Sequence, residues 1–255
     1  IILIPFLRRL KFGQTILDIG PAWHKKKQGT PTMGGLMFII GTTAAIAVGD
    51  FTMRSMDPAS LSDNMGNLKL FAGLVMALAF GAVGFLDDYI KVVKKRNLGL
   101  RARAKIVAQV LITAAFLCAL TLNGTLTTYV TLPVLGTVDF GYAFYPVSFL
   151  LIIGMVNAVN LTDGIDGLSS SVTFVVMLGF LFVASFLGNT AVALFAAAIA
   201  GGCAGFLSWN FYPAKTFMGD TGSLTLGYTL SFLAIKYSQH NADIMPYTEG
   251  AFIIA

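Results

Sequence analysis

Long apolar segments recur along the whole chain and constrain its fold more than any other feature. Approximate boundaries place the segments of near-spanning length at 35–51, 69–88, 106–122, 144–159, 169–187, 190–208 and 223–238. A helix needs about 20 apolar residues to cross a bilayer. Only 11% of the 255 residues are charged, whereas soluble domains carry about 25%. The sequence therefore predicts an all-α polytopic membrane protein.

No break in composition divides these segments, so we expect a single transmembrane helical bundle over residues 1–255. Shorter apolar runs at 1–7 and from 250 lie at the two ends, and we interpret both ends as incomplete. Residues 127–141 differ from the rest. Their β-branched residues surround Pro133 and Gly136, a pattern that predicts a small β-hairpin. We expect this hairpin on the outer, periplasmic face.

Basic residues are concentrated in alternate loops. Residues 8–27, 91–105 and 209–222 together contain 14 of the 17 lysines and arginines. Loops rich in Lys and Arg face the cytoplasm. The pattern predicts a multi-pass protein of the plasma membrane with these three loops on its cytoplasmic side. We interpret Arg8, Arg9, Lys11 and Arg96 as orientation signals and contacts to lipid headgroups, and we expect no nucleic-acid partner.

Five of the 12 acidic residues lie in three short motifs, all at predicted cytoplasmic helix ends. The motifs are Gly-Phe-Leu-Asp-Asp-Tyr with Asp87 and Asp88, Asn-Leu-Thr-Asp-Gly-Ile-Asp-Gly-Leu with Asp163 and Asp166, and Phe-Met-Gly-Asp-Thr-Gly-Ser with Asp220. The last three aspartates could be plain helix caps or first-turn residues. The first pair lies at a helix carboxyl end, where the helix dipole disfavours carboxylates. That position favours a bound cation or a proton-accepting role.

A glycine-flanked helix start, such as the one at Asp220, binds phosphate through free N–H groups. Mg²⁺ is commonly held by one or two carboxylates together with substrate phosphates. Lys27, Lys91 and Lys105 lie in the basic loops, where they could meet an anionic substrate. Acidic motifs for a metal beside basic residues for phosphates predict a phosphoryl-transfer site.

The motifs resemble those of the bacterial phospho-N-acetylmuramoyl-pentapeptide transferases, within the polyprenyl-phosphate sugar-1-phosphate transferases. The resemblance also rests on Gly-Thr-Pro-Thr-Met-Gly-Gly at 29–35, and the motifs occur in the family's order. It implies about ten transmembrane helices in the full-length protein, a homodimer and a cytoplasmic Mg²⁺ site. The implied substrates are UDP-N-acetylmuramoyl-pentapeptide and undecaprenyl phosphate, and the implied products are UMP and lipid I of peptidoglycan synthesis.

The resemblance also implies residue roles. Asp220 would be the Mg²⁺ ligand and, with Asp87 and Asp88, catalytic; Asp87 would deprotonate the lipid phosphate, and Phe217 would stack on uracil. The residues implied to bind substrate are Lys27, Thr32, Lys91, Lys105, Asn160, Asp163, Gly164, Ile165, Asp166, Asn210 and Phe217. The family carries a histidine-rich motif in a later cytoplasmic loop, beyond Ala255, so we expect binding residues there as well.

Three alternatives remain open from the sequence. A sister branch moves N-acetylglucosamine-1-phosphate from UDP-N-acetylglucosamine, and only loop motifs separate it from the muramoyl branch. An ion-coupled transporter would place ionisable groups near the bilayer midplane, whereas the key aspartates here lie at predicted helix ends. A non-catalytic scaffold leaves the Asp87–Asp88 pair unexplained. The transfer itself could be a direct attack or proceed through an aspartyl-phosphate.

Overall fold

The computed structural model describes residues 30–56, 64–94, 99–124, 126–132 and 136–238. Within these residues, seven α-helices run in alternating directions through one bundle. The helices are α1 (Gly35–Met56), α2 (Asn64–Val93), α3 (Ala102–Leu122), α4 (Phe144–Thr162), α5 (Leu168–Phe186), α6 (Thr190–Asn210) and α7 (Gly219–Ser238).

Among the described residues, the six helices α1 to α6 are long and apolar enough to cross a membrane. The prediction of an all-α polytopic membrane protein is therefore confirmed. The segment predicted at 223–238 forms most of α7, but this helix is less apolar than the other six. The apolar runs at 1–7 and from 250 lie outside the described residues, so about ten helices in the full-length protein stays a prediction.

The predicted β-hairpin is present between α3 and α4. Strands β1 (Tyr129–Leu132) and β2 (Gly136–Asp139) pair antiparallel, with Tyr129 opposite Asp139. Gly136 has a φ of 72°, a left-handed conformation that glycine adopts at little cost. The hairpin joins the carboxyl end of α3 to the short 3₁₀ turn that leads into α4. It therefore lies at the opposite end of these helices from residues 102 and 162.

Helix α7 lies at the centre of the bundle, packed against α1, α2 and α4. Its side chains are buried almost continuously, and the Tyr228 ring stacks on Phe80 of α2 at a centroid distance of 4.8 Å. Several buried residues of α7 are hydroxylic. The hydroxyls of Thr225 and Thr229 each donate to the carbonyl one turn earlier in the same helix, at 2.8 Å. Such internal bonds satisfy polar groups that the surrounding helices cannot.

Glycines allow α7 to approach its neighbours closely near its amino end. A Cβ on Gly84 of α2 would collide with the backbone carbonyl of Asp220, and a Cβ on Gly35 of α1 would collide with the backbone of Gly222. Side chains larger than hydrogen at these positions would push the helices apart. The close approach brings the carboxyl end of α2 against the amino end of α7.

We expect Gly84→Ala to destabilise the bundle, since its new methyl group meets rigid backbone rather than a flexible side chain. Overpacking of this kind costs about 1–3 kcal/mol. Thermal unfolding of the purified protein in detergent measures the change.

Gly154→Ala is the matched control, because Gly154 is an exposed helical glycine with open space around its Cα. Alanine there should be neutral or stabilising by up to about 1 kcal/mol. Equal unfolding temperatures for the two variants would contradict the close α2–α7 contact.

Candidate active site

Seven helix ends meet at one end of the bundle, because the chain direction alternates from α1 to α7. The residues gathered there come from four different helices. Helix α2 contributes Asp87 and Asp88, α3 contributes Lys105, α4 contributes Asn160 and α7 contributes Asp220. Three of the motifs singled out in the sequence therefore meet in space.

Asp88 binds the amino end of α7. Its Oδ1 accepts the backbone N–H of Asp220 at 3.3 Å, and its Oδ2 accepts the backbone N–H of Thr221 at 3.0 Å and the Thr221 hydroxyl at 2.8 Å. The side chain is only 3% exposed. The first N–H groups of a helix lack partners within it, and the positive end of its dipole favours an anion. Asp88 thus lies at the carboxyl end of its own helix but is stabilised by the amino end of another.

Asp87 is held by the chain that follows α2. Its Oδ1 accepts the backbone N–H of Leu100 at 2.6 Å, and its Oδ2 pairs with Lys91 at 2.5 Å. Gly99 packs directly on the carboxylate, where a Cβ would collide with Oδ1. The Gly99–Leu100 backbone therefore covers one side of Asp87 and fixes its orientation.

The Asp220 side chain of α7 contacts side chains of α2, α3 and α4. Its Oδ2 contacts the amines of Lys91 at 3.1 Å and Lys105 at 2.9 Å. Its Oδ1 accepts the Asn160 amide at 2.7 Å, and this amide also contacts the Ser223 hydroxyl at 2.8 Å. Lys105 donates in turn to the Asn160 carbonyl oxygen at 3.3 Å. A single carboxylate thus accepts charge-assisted hydrogen bonds from lysines of α2 and α3 and a hydrogen bond from an amide of α4.

The surroundings of Asp220 favour its charged form. Burial alone would raise its pKa, but a hydrogen bond with Asp87, the charges of Lys91 and Lys105 and the Asn160 amide together lower the pKa of Asp220 below its ordinary value. Opposite charges and donated hydrogen bonds both stabilise a carboxylate. Asp220 is therefore ionised at neutral pH and available as a ligand for a cation.

The three carboxylates fit a divalent metal ion. Asp87, Asp88 and Asp220 each offer an oxygen atom, and these atoms all lie within 4.8 Å of one another. Carboxylate oxygens are the ligands that Mg²⁺ takes. The cluster already attracts positive charge, since the Lys91 amine lies within 4.0 Å of all three side chains and Lys105 also contacts Asp220. With all three aspartates ionised, two lysines leave one negative charge uncompensated.

Asp163 lies behind this cluster and binds the backbone. Its Oδ2 accepts the N–H of Gly219 at 2.8 Å, and its side chain is buried. Burial raises the pKa of Asp163 well above its ordinary value, the N–H groups of Gly219 and Met218 oppose this, and the charges of Asp88 and Asp220 add to it. Asp163 thus fixes the residue that precedes Asp220.

Asp166 and Asn210 join the α4–α5 loop to the α6–α7 loop. Asp166 Oδ2 accepts the N–H of Ala214 at 3.0 Å. The Asn210 side chain accepts the N–H of Gly167 at 3.0 Å and donates to the Thr216 carbonyl at 3.0 Å. Gly167 has a φ of 73°, which glycine adopts readily. These bonds hold the two loops together beside the carboxylate cluster.

The remaining predicted residues occupy three kinds of position. Gly164 and Ile165 are exposed on the α4–α5 loop, and Thr32 is half-buried near the start of α1. Phe217 is only 4% exposed, so stacking of its ring on a base would need a change in the surrounding loop and stays a prediction. Lys27 lies outside the described residues.

Sequence reasoning missed several residues that complete the site. Ser223 and Thr221 contact Asn160 and Asp88. Ser223 follows Asp220 by three residues, so helical spacing could have placed it on the same face. No sequence signal marks Leu100, whose contact with Asp87 is made by its backbone N–H.

Comparisons with known proteins identify the family of this chain. The family model for glycosyl transferase family 4 matches residues 70–238, and signature 1 of the phospho-N-acetylmuramoyl-pentapeptide-transferases matches residues 27–39. The phospho-N-acetylmuramoyl-pentapeptide-transferase of Heliobacterium modesticaldum is 49% identical over 91% of this chain and 68% of its own length. The protein of the same name from Halalkalibacterium halodurans is 43% identical over 99% of this chain and 74% of its own length.

The two matched regions include the 29–35 motif and all three acidic motifs. The chain therefore belongs to the phospho-N-acetylmuramoyl-pentapeptide-transferase family, within glycosyl transferase family 4.

Proposed function

We propose that this chain transfers phospho-N-acetylmuramoyl-pentapeptide from its UDP-linked form to undecaprenyl phosphate, giving lipid I and UMP. The observation that carries the proposal is the cluster of Asp87, Asp88 and the half-buried Asp220, with Lys91 and Lys105, at one end of a membrane bundle. The names of the relatives support the sugar-peptide that is moved. A site at the end of apolar helices suits an acceptor whose chain lies in the bilayer and whose phosphate lies at its surface.

We assign Asp220 as the principal Mg²⁺ ligand. A bound Mg²⁺ would neutralise charge on the diphosphate of the nucleotide. The amines of Lys91 and Lys105 both pair with the Asp220 carboxylate. Either amine can therefore also contact a phosphate oxygen that approaches this carboxylate. Asp88, with both oxygens bonded to the start of α7, positions Asp220.

We assign Asp87 as the acceptor of a proton from the lipid phosphate. An oxygen of that phosphate then attacks the β-phosphorus of the nucleotide, a new P–O bond forms, and the bond from the β-phosphorus to the bridging oxygen breaks as UMP leaves. The Leu100 N–H and the Lys91 amine orient the Asp87 carboxylate for this role. Direct attack needs no covalent enzyme intermediate.

The loops beside the cluster are proposed as the nucleotide pocket. Gly164 and Ile165 offer exposed surface there, while Asp163, Asp166 and Asn210 fix the loop backbones. Lys27 and Thr32 complete the proposed binding set, and Phe217 would stack on the uracil ring.

We also propose that the site faces the cytoplasm of a bacterial plasma membrane and that the protein is a homodimer. Support for the orientation comes from the described basic residues Lys91, Lys94, Arg101, Arg103 and Lys105, which lie at the site end of α2 and α3. The dimer rests on the family resemblance.

Asp220→Asn should reduce Mg²⁺-dependent UMP release by at least about 10²-fold, the scale seen when a group that stabilises transition-state charge is removed. Asparagine keeps the shape of the side chain but removes the charge that Lys91 and Lys105 contact. UMP release in detergent with both substrates measures it. Asp50→Asn is the control, since Asp50 pairs only with Arg54 at the far end of α1 in the described contacts. Near-normal turnover of Asp220→Asn would contradict the assignment.

UDP-N-acetylmuramoyl-pentapeptide should support UMP release with undecaprenyl phosphate, whereas UDP-N-acetylglucosamine should not. The two donors share the uridine diphosphate, so the comparison isolates recognition of the lactyl-peptide. Release with UDP-N-acetylglucosamine alone would assign the chain to the sister reaction.

Incubation with donor labelled at the β-phosphate, without undecaprenyl phosphate, should leave the enzyme unlabelled, because direct attack makes no aspartyl-phosphate. Acid-quenched gels detect any label, and Asp87→Asn tests its location. A label on wild type that disappears in this variant would establish the two-step route.

A further inference from the structure

A pair of amide side chains, one buried and one half-buried, lies one helical turn deeper in the bundle than the candidate active site. Gln109 of α3 is 0% exposed, and its Oε1 accepts the Asn157 amide of α4 at 2.8 Å. Asn157 also donates to the Ile153 carbonyl of its own helix at 2.8 Å. None of the sequence motifs includes either residue.

The pair lies on the same faces of α3 and α4 as the site residues. Gln109 follows Lys105 by four residues, and Asn157 precedes Asn160 by three, so each pair of neighbours lies on one face of its helix. Lys105 and Asn160 contact each other and both contact Asp220. Two polar cross-links therefore join α3 to α4, one at the site and one a turn below it.

Few other contacts determine where α3 lies. It is at the edge of the bundle, and outward side chains such as Val107 and Leu111 are 56% and 64% exposed. The buried positions of α3 are Gln109, Thr113, Phe116 and Leu117. Phe116 packs against Tyr228 deep in the bundle, two turns from Gln109. Among the described residues, the Gln109–Asn157 bond is therefore the hydrogen bond from α3 to another helix that lies nearest to Lys105 outside the site itself.

Stability alone does not explain a glutamine at this position. Its Nε2 is buried and has no hydrogen-bond partner among the described residues. An unsatisfied donor inside a membrane bundle is costly, and an apolar side chain of similar size would avoid that cost. A directional bond, however, specifies how two helices align, which apolar packing does less sharply.

We propose that Gln109 and Asn157 are positioning residues that align α3 with α4 and so hold Lys105 and Asn160 on Asp220. The kinetic part of this inference rests on the proposed function. Small displacements of groups that bind the reacting phosphates have large effects on rate. The pair therefore acts through Lys105 and Asn160, without touching substrate.

The decisive variant is the double change Gln109→Leu with Asn157→Leu, which removes both partners and leaves neither unpaired. We expect its unfolding temperature in detergent to stay within about 3 °C of wild type, while kcat for UMP release falls about tenfold or more. The single variant Gln109→Glu leaves Asn157 in place and keeps an acceptor oxygen at the same position. It should retain most of the wild-type kcat. Wild-type kcat in the double-leucine variant would overturn the proposal.

Thr113→Val is the matched control. Thr113 is buried on the same face of α3 one turn further on, but its hydroxyl donates only to the Gln109 carbonyl of its own helix in the described contacts. Valine has nearly the same shape, so kcat should be unchanged. A fall in kcat equal to that of the double-leucine variant would mean that buried polarity in α3, and not the cross-link, matters.

A double-mutant cycle with Asn160→Ala tests whether the pair acts through the site. The double-leucine change should lower kcat by a smaller factor when Asn160 is already absent, because part of its effect passes through Asn160 and the rest through Lys105. Independent, multiplying effects would overturn the inference.

Failure of the proposed function has a different signature. Wild-type enzyme that releases no UMP would refute the transfer reaction, and the same cycle would then be read from unfolding temperatures. Non-additive shifts between the double-leucine change and Asn160→Ala support the alignment of α3 with α4, and additive shifts overturn it.

Discussion

The bond between the Asp88 carboxylate and the amino end of α7 is the contact on which the rest of the site depends. A carboxylate that is 3% exposed in a membrane bundle needs strong compensation, and three donors at the start of α7 supply it. The same bond fixes the first residues of α7. Since Asp220 is one of them, its side chain is placed between α2, α3 and α4 as a direct consequence.

Charge compensation then explains why the cluster can exist without unfolding the helix ends. Lys91 and Lys105 come from the two helices that flank Asp220, and both contact the same oxygen. In a low-dielectric environment each of these pairs is much stronger than on an exposed surface. The arrangement keeps Asp220 charged and the three carboxylates close together, which is the condition for binding a cation at this point.

The sequence predicted the helices and the acidic motifs because both depend on residue type along the chain. Apolar length revealed α1 to α6, and the Asp87–Asp88 pair stood out through its position at a helix end. The sequence could not indicate that Asp163 would bind the Gly219 N–H, because every residue except proline has a backbone N–H and residue type therefore does not mark this donor. The burial of Phe217 could not be predicted from the sequence either, since it depends on how a loop folds against neighbouring helices.

Helix α7 illustrates a general reason for such limits. It is the central helix of the bundle, yet its hydroxyl-rich sequence makes it less apolar than the six helices around it. Apolar side chains are required where a helix faces lipid, whereas a helix enclosed by protein can carry hydroxyls that bond to its own backbone. Its small and polar residues are also what allow α2 to approach through Gly84 and what provide Thr221 and Ser223 beside Asp220. The low hydropathy of α7 and the polar site at its amino end therefore have the same origin.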